Sequence, residues 1–142
     1  MLVPWVAFVL AAAAPPQTKT PELTTAAFLE AFSAMDQARF DEFFAPDVTM
    51  FFPGGGSNPR TRVEGREAVL STFHDFFKML KEQGTTSLDI APQDQRVQII
   101  GDVAVVSFGL DWGDAVGRRS IVLRKIGEEW RIAHFHASTV DK

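Results

Sequence analysis

Trp130-Arg131-Ile132-Ala133-His134-Phe135-His136-Ala137-Ser138 is the stretch whose reading decides the fold. Its aromatic and branched residues suit a pleated surface, and the Gly127-Glu128 turn before it joins it to a similar run, Gly117 to Ile126. In a strand without a bulge, Trp130, Ile132, His134, His136 and Ser138 share one face, and Arg131, Ala133, Phe135 and Ala137 the other. Further back, Gly113-Asp114 and Gly101-Asp102 mark turns that separate Val103 to Trp112 and Ser87 to Ile100. From Gly84 onward the chain therefore reads as an antiparallel meander of four strands. Within it, Ala104, Val106, Phe108, Leu110 and Trp112 form a row expected in a core or interface, opposite Val103, Val105, Ser107, Gly109 and Asp111.

Before Gly84 the apolar period is helical. Thr20-Pro21 is a helix start, with a hydroxyl to cap free amides and a proline where its missing N–H costs nothing. Leu23, Ala27, Phe28, Ala31, Phe32 and Met35 then recur at helical spacing, to about Asp36. A shorter helical piece is expected over Asp41 to Ala45, then a strand over Val48 to Phe52. The run Pro53-Gly54-Gly55-Gly56-Ser57-Asn58-Pro59 must be a loop, and it lacks the Gly-Lys-Ser/Thr or glycine spacing of a phosphate or dinucleotide cradle. Arg66 to Gln83 is the longest helix, with Val69, Leu70, Phe73, Phe76, Phe77 and Leu80 in one stripe and Gly84 at its end. Helices first and strands last segregate into an α+β domain.

The run Arg118 to Lys125, its Gly-containing turn and the Trp130 to Ser138 strand resemble the last hairpin of SnoaL-like domains in the nuclear transport factor 2-like superfamily. The Val63-Glu64-Gly65-Arg66 lead into the long helix and the order of elements are similar too. The terminal Trp-x-Ile-x-His-Phe-His-x-Ser is also similar to the association (hub) domain of calcium/calmodulin-dependent kinase II. The resemblance spans about Pro21 to Val140 and implies a cone, a curved and mostly antiparallel sheet packed on the N-terminal helices with a pocket between them. It implies a range of functions, from acid/base cyclases, isomerases, dehydratases and hydrolases to non-catalytic oligomerising or ligand-binding modules. The arginines of the hub pocket correspond here to Ser107, Ser120 and Ala137, and the tyrosine of isomerase sites has no counterpart in a chain without Tyr.

His134 and His136 are the candidate proton-transfer pair, since imidazole titrates near neutrality. Asp111, at the end of its strand, is a third candidate, with Arg118 or His134 expected near it. A metal reading needs a third ligand such as His74 or Asp111, and the histidines read equally well as a pair at a sheet face or subunit interface. The expected pocket is walled by Phe28, Phe32, Phe51, Phe73 and Phe77, with His74 at the edge of the helix stripe and Arg118 as a polar contributor. Arg118 and Arg119 face opposite ways in a regular strand, so at most one enters a pocket. The competing expectation is an association module whose open sheet face carries Trp112 or Trp130. A homodimer fits both.

Composition narrows the rest. With 142 residues the chain is long enough for one core, and with no Cys it has neither disulfides nor thiolate chemistry. The net charge of -4 argues against a nucleic-acid surface. No cofactor is expected, and the partners are a small-molecule ligand and a second copy. The apolar run Leu2 to Ala14, ending in four alanines, predicts a secretory signal over 1–14, followed by a polar connector over 15–19 and the domain over 20–142. The run is too short to span a bilayer, so the expected product is a periplasmic or secreted protein with no stable membrane span.

Overall fold

Thr20 begins the first helix as its chemistry requires, its hydroxyl accepting the Leu23 N–H at 3.2 Å ahead of Pro21. The structure, a computed structural model, describes residues 20–53 and 62–142, so the expected signal, the connector and nearly all of the Gly-rich loop lie outside the described residues. Helix α1 covers Pro21–Ser33. The second helix, α2, covers Gln37–Asp41, earlier than the sequence reading placed it, because the Asp36 carboxylate caps it by accepting the Arg39 N–H at 3.3 Å. The residues expected to be helical at 44 and 45 instead open strand β1, Phe44–Phe51. Pro46 lies in the irregular stretch between the Phe44 and Thr49 pairs of that strand, where a missing N–H is tolerated.

A short strand β2, Val63–Glu64, hands the chain through Gly65 (φ 88°) to helix α3, Arg66–Glu82. Strands β3 (Gln93–Ile100), β4 (Val103–Asp111), β5 (Ala115–Ile126) and β6 (Glu129–Asp141) complete the order. Residues 87–92 stay out of the sheet because α1 holds them: the Leu88 N–H donates to the Ser33 carbonyl at 2.8 Å and the Ser33 hydroxyl donates to the Leu88 carbonyl. The sheet runs β2-β1-β6-β5-β4-β3, antiparallel throughout except where β1 and β6 lie parallel. It curves around α1 and α3, the α+β cone expected from the resemblance.

The alternation of β6 is reset midway. Val122 pairs with His134 while Leu123 pairs with Ile132, so Ala133 is an extra residue that opposes nothing on β5. Trp130 and Ile132 point into the core before it, and Phe135 and Ala137 after it. The single shared face expected for Trp130, Ile132, His134, His136 and Ser138 is therefore split: the tryptophan and isoleucine turn inward, the histidines outward.

Inside the cone the missing tyrosines acquire a meaning. Phe40 on α2 sits 4.9 Å from Phe73, 5.0 Å from Phe44, 5.2 Å from Phe77 and 5.3 Å from Phe28, ring centre to ring centre. Phe40, Phe73 and Phe77 are fully buried, where a phenolic hydroxyl would need a partner and a bare ring needs none. Among the described residues no buried side-chain polar atom is left without a hydrogen bond, and no helix is long and apolar enough to cross a membrane.

Candidate functional site

The inward parity of β5 is set by Ile121 and Leu123, both buried, and it carries Arg119 and Gly117 to the same face. Arg118 faces outward and is exposed, so of the two arginines the one facing the cone's interior is Arg119 and not the Arg118 of the sequence reading. Gly117 makes room for the arrangement. A Cβ built on it would stand 2.9 Å from Cη2 of Trp112 and 3.2 Å from Nη1 of Arg119. The Trp112 ring folds over that space and the guanidinium lies 5.1 Å from its centre, a cation–π contact. Arg119 Nη1 donates to the carbonyls of Arg118 (2.9 Å) and Ser138 (3.1 Å).

Around this group the sheet and helices fail to meet, leaving a cavity of ≈ 400 Å³. Phe32 of α1, Phe76 of α3, Phe52 after β1 and Phe135 of β6 form its aromatic walls, with Leu110, Trp112, Leu88 and Ile90. Among the described residues its polar side chains are Arg119, Thr139 and Asp89, with the indole N–H of Trp112. Such a site, mostly apolar with a few placed polar groups, is the usual form of a small-molecule pocket. A smaller void of ≈ 20 Å³ continues behind Arg119 toward Phe28 and Phe108. Burial pushes the Arg119 pKa below its ordinary value, since the charge is partly removed from water.

Of the expected pocket wall, Phe32 lines the cavity and Phe28 only the small void, whereas Phe73 and Phe77 are filled core. Phe51 points to the outer face, its ring 6.1 Å from that of His134 and 5.8 Å from that of His136. Those histidines do share a face, but it is the outside of the sheet. His134 Nδ1 is hydrogen-bonded to the Thr49 hydroxyl at 2.7 Å. Burial first, then the neighbouring His136 and Arg62, hold the His134 pKa below its ordinary value. Asp111 meets neither Arg118 nor His134. It is exposed, accepts from Lys142 Nζ at 2.7 Å and from the Gly113 N–H at 3.0 Å, and those bonds hold its carboxyl below the usual range. His74 Nε2 pairs with the Asp41 carboxylate at 2.7 Å and ties α3 to α2, outside the cavity. Neither tryptophan is on the open sheet face: Trp130 is buried inside and Trp112 rims the cavity. Among the described residues no three His, Asp or Glu side chains gather closely enough to hold a metal ion.

The sequence reading passed over Arg119, Trp112, Phe52 and Phe76 as cavity residues. For Arg119 a signal was present: counting by twos from Ile121 and Leu123 reaches 119 and 117, never 118.

The profile of the SnoaL-like domain matches residues 22–142. No curated protein sequence matches the chain. Among solved structures it is similar to a candidate ketosteroid isomerase from Parabacteroides distasonis, at 25% identity over 84% of this chain and 87% of that one, with a TM-score of 0.66. A candidate dehydratase of the nuclear transport factor 2-like family from Streptomyces avermitilis shares the fold at 20% identity (TM-score 0.70; 88% and 96% covered). A candidate calcium/calmodulin-dependent kinase II association domain from Thiobacillus denitrificans does so at 22% identity (TM-score 0.68; 89% and 100% covered). With a profile match over nearly the whole described chain and the cone and its cavity in place, the protein belongs to the SnoaL-like domain family.

Proposed function

We propose that this protein binds a small, mostly apolar molecule in the cavity between Phe32, Phe76, Phe135 and Trp112. The observation that carries the reading is the ≈ 400 Å³ space itself, bounded by four phenylalanine rings in a protein where Phe40, Phe44, Phe73 and Phe77 pack tightly. The similar structures described as a candidate ketosteroid isomerase and a candidate dehydratase lend support, since both names describe chemistry on small molecules. Acid/base turnover of the bound molecule would fall to Asp89, as among the described residues the lining holds no other carboxylate and no histidine. Titration with the neutral dye N-phenyl-1-naphthylamine tests the reading. One saturable site is expected, lost when Leu110→Trp fills the cavity. Dye binding that is unsaturable, or unchanged by Leu110→Trp, would sink it.

The same reading takes the protein as exported and dimeric. Export is supported by the apolar run Leu2 to Ala14, and N-terminal sequencing of protein from a secreted or periplasmic fraction should find a chain beginning after Ala12 or Ala13. Dimerisation is supported by the half-buried outer row of Phe51, Val105, Val122 and His134 and by the association-domain neighbour. Light scattering should give twice the chain mass, falling to one chain in Val122→Lys.

A further inference from the structure

We propose that the cavity selects a monoanionic amphipathic ligand, a small aromatic or aliphatic carboxylate, whose head is held by Arg119 and whose body lies against Phe32, Phe76 and Phe135. The inference rests on the cavity being a binding site, and it names the ligand class.

Its basis is what Arg119 leaves undone. The guanidinium has five N–H donors in a planar fork. Nη1 donates to two main-chain carbonyls, of Arg118 and Ser138, while among the described residues no hydrogen bond is made by Nε or Nη2. Among the described residues no carboxylate forms an ion pair with Arg119. A half-buried cation with spare donors, lining a cavity whose other walls are mostly apolar, is left among the described residues without a counter-ion. Burial also holds its pKa below the ordinary value. A merely structural arginine, placed to bridge two carbonyls, would not need to line a cavity.

The fork matches a carboxylate, which takes two parallel N–H bonds. A phosphate dianion fits less well, because among the described residues Arg119 is the only cation in the lining and a second charge would stay uncompensated among apolar walls. Asp89 also lines the cavity, but it is exposed at the rim, so its charge is screened by water in a way that Arg119 is not. Gly117 and the Trp112 ring fix the guanidinium in place before any ligand arrives, which keeps the ordering cost of binding low. The Thr139 hydroxyl is a further donor in the lining.

Matched competitors test this on the full chain. N-phenyl-1-naphthylamine, neutral, reports occupancy, and 2-naphthoate, 2-naphthamide and 2-naphthyl phosphate compete for it. The naphthoate should displace the dye at a concentration about tenfold or more below that of the amide, the usual gain from a charge-assisted pair over a neutral one. In Arg119→Met naphthoate and naphthamide should displace bound dye at equal concentrations, whatever the dye's own affinity there; Arg119→Lys should keep part of the gap. Equal displacement by naphthoate and naphthamide in the unaltered protein overturns the proposal without any variant having to fold. So does a gap that survives in Arg119→Met. A phosphate that outcompetes the naphthoate overturns the choice of a monoanion. If the neutral dye itself does not bind, the binding-site reading fails first, and this one with it.

Discussion

The two ends of the cone are built from the same residue type, and only one of them is closed. At the end near the β5–β6 hairpin, Phe44, Phe73 and Phe77 surround Phe40, and the rings leave no space. At the end near the β4–β5 hairpin, Phe32, Phe52, Phe76 and Phe135 stand around ≈ 400 Å³. The difference is what crosses each end. Helix α2, five residues long, exists to deliver Phe40 into the middle of the first cluster. The second is crossed by residues 88–90, which are held back against α1 by bonds between Leu88 and the carbonyl and hydroxyl of Ser33, and by Trp112, which stacks on Arg119 rather than filling the space. A sealed dry void of that size would cost roughly 10 kcal/mol at about 24 cal/mol per Å³, as much as a whole domain's stability. An open cavity whose rim carries exposed Trp112 and Asp89 avoids that cost by admitting water or a ligand.

The most severe way to break the contrast is to delete Ala133. Strand β6 runs through both ends, and the extra residue is what lets Trp130 and Ile132 point inward at one and Phe135 at the other. Without it, regular alternation must turn one of those sets outward. The deletion should abolish cooperative unfolding in urea; a variant with a normal transition would show that the bulge is dispensable. Next in size is a paired truncation. Phe40→Ala, in the filled end, should cost about 3–5 kcal/mol. Phe52→Ala, half-buried at the cavity wall, should cost about 1–2 kcal/mol, since only part of the ring's burial is lost. Urea midpoints compare the two directly, and equal losses would mean that the ends are packed alike.

How far the contrast is legible in the sequence depends on what each part is made of. Helices α1 and α3 and strands β4 to β6 announce themselves because a buried face repeats, at Val69, Leu70, Phe73 and Phe77 or at Ala104, Val106 and Phe108. The Ser87 to Pro92 segment misleads because its tie to α1 uses only the main chain of Leu88 and leaves no mark on residue choice at 88. The bulge is hidden for a related reason: Ala133 is acceptable on either face, and only the pairing on both sides of it shows the surplus residue. The cavity is the least legible feature, because the phenylalanines that fill and those that merely enclose share one letter. Arg119 was within reach through strand parity, and Trp112 through its place just before the Gly113 turn, but only with the sheet's inner face already assigned.

Gly117→Ala sharpens the open end specifically. The added methyl would meet the edge of the Trp112 ring at 2.9 Å, and Trp112, 48% exposed, can swing away rather than force the backbone to move. The expected loss is therefore near the low end for overpacking, about 1 kcal/mol. Its signature should be optical, with tryptophan emission shifting as Trp112 leaves the guanidinium. An unchanged spectrum would show that the ring does not rest over Gly117.

The smallest effect belongs to the outside of the same sheet, where His134 sits against Thr49 between Phe51 and Val122. Its pKa is lowered in the folded state, by burial first and by His136 and Arg62 after that. Above the ordinary histidine value of about 6.5 the ring is neutral in both folded and unfolded chains, and its contribution is complete. As the pH falls below that value the unfolded chain takes up a proton that the folded one resists, so stability declines until the folded ring is protonated as well. Between pH 8 and pH 5 the unaltered protein should thus lose more thermal stability than His134→Gln, which has nothing to titrate there. The difference between the two Tm-against-pH curves isolates His134 from the carboxylates and from the His74–Asp41 pair, which both proteins share. A steeper decline in the glutamine variant would mean that His134 is stabilised when charged, as it would be if the outer face presented it to an acidic partner instead of a second copy of its own half-apolar row.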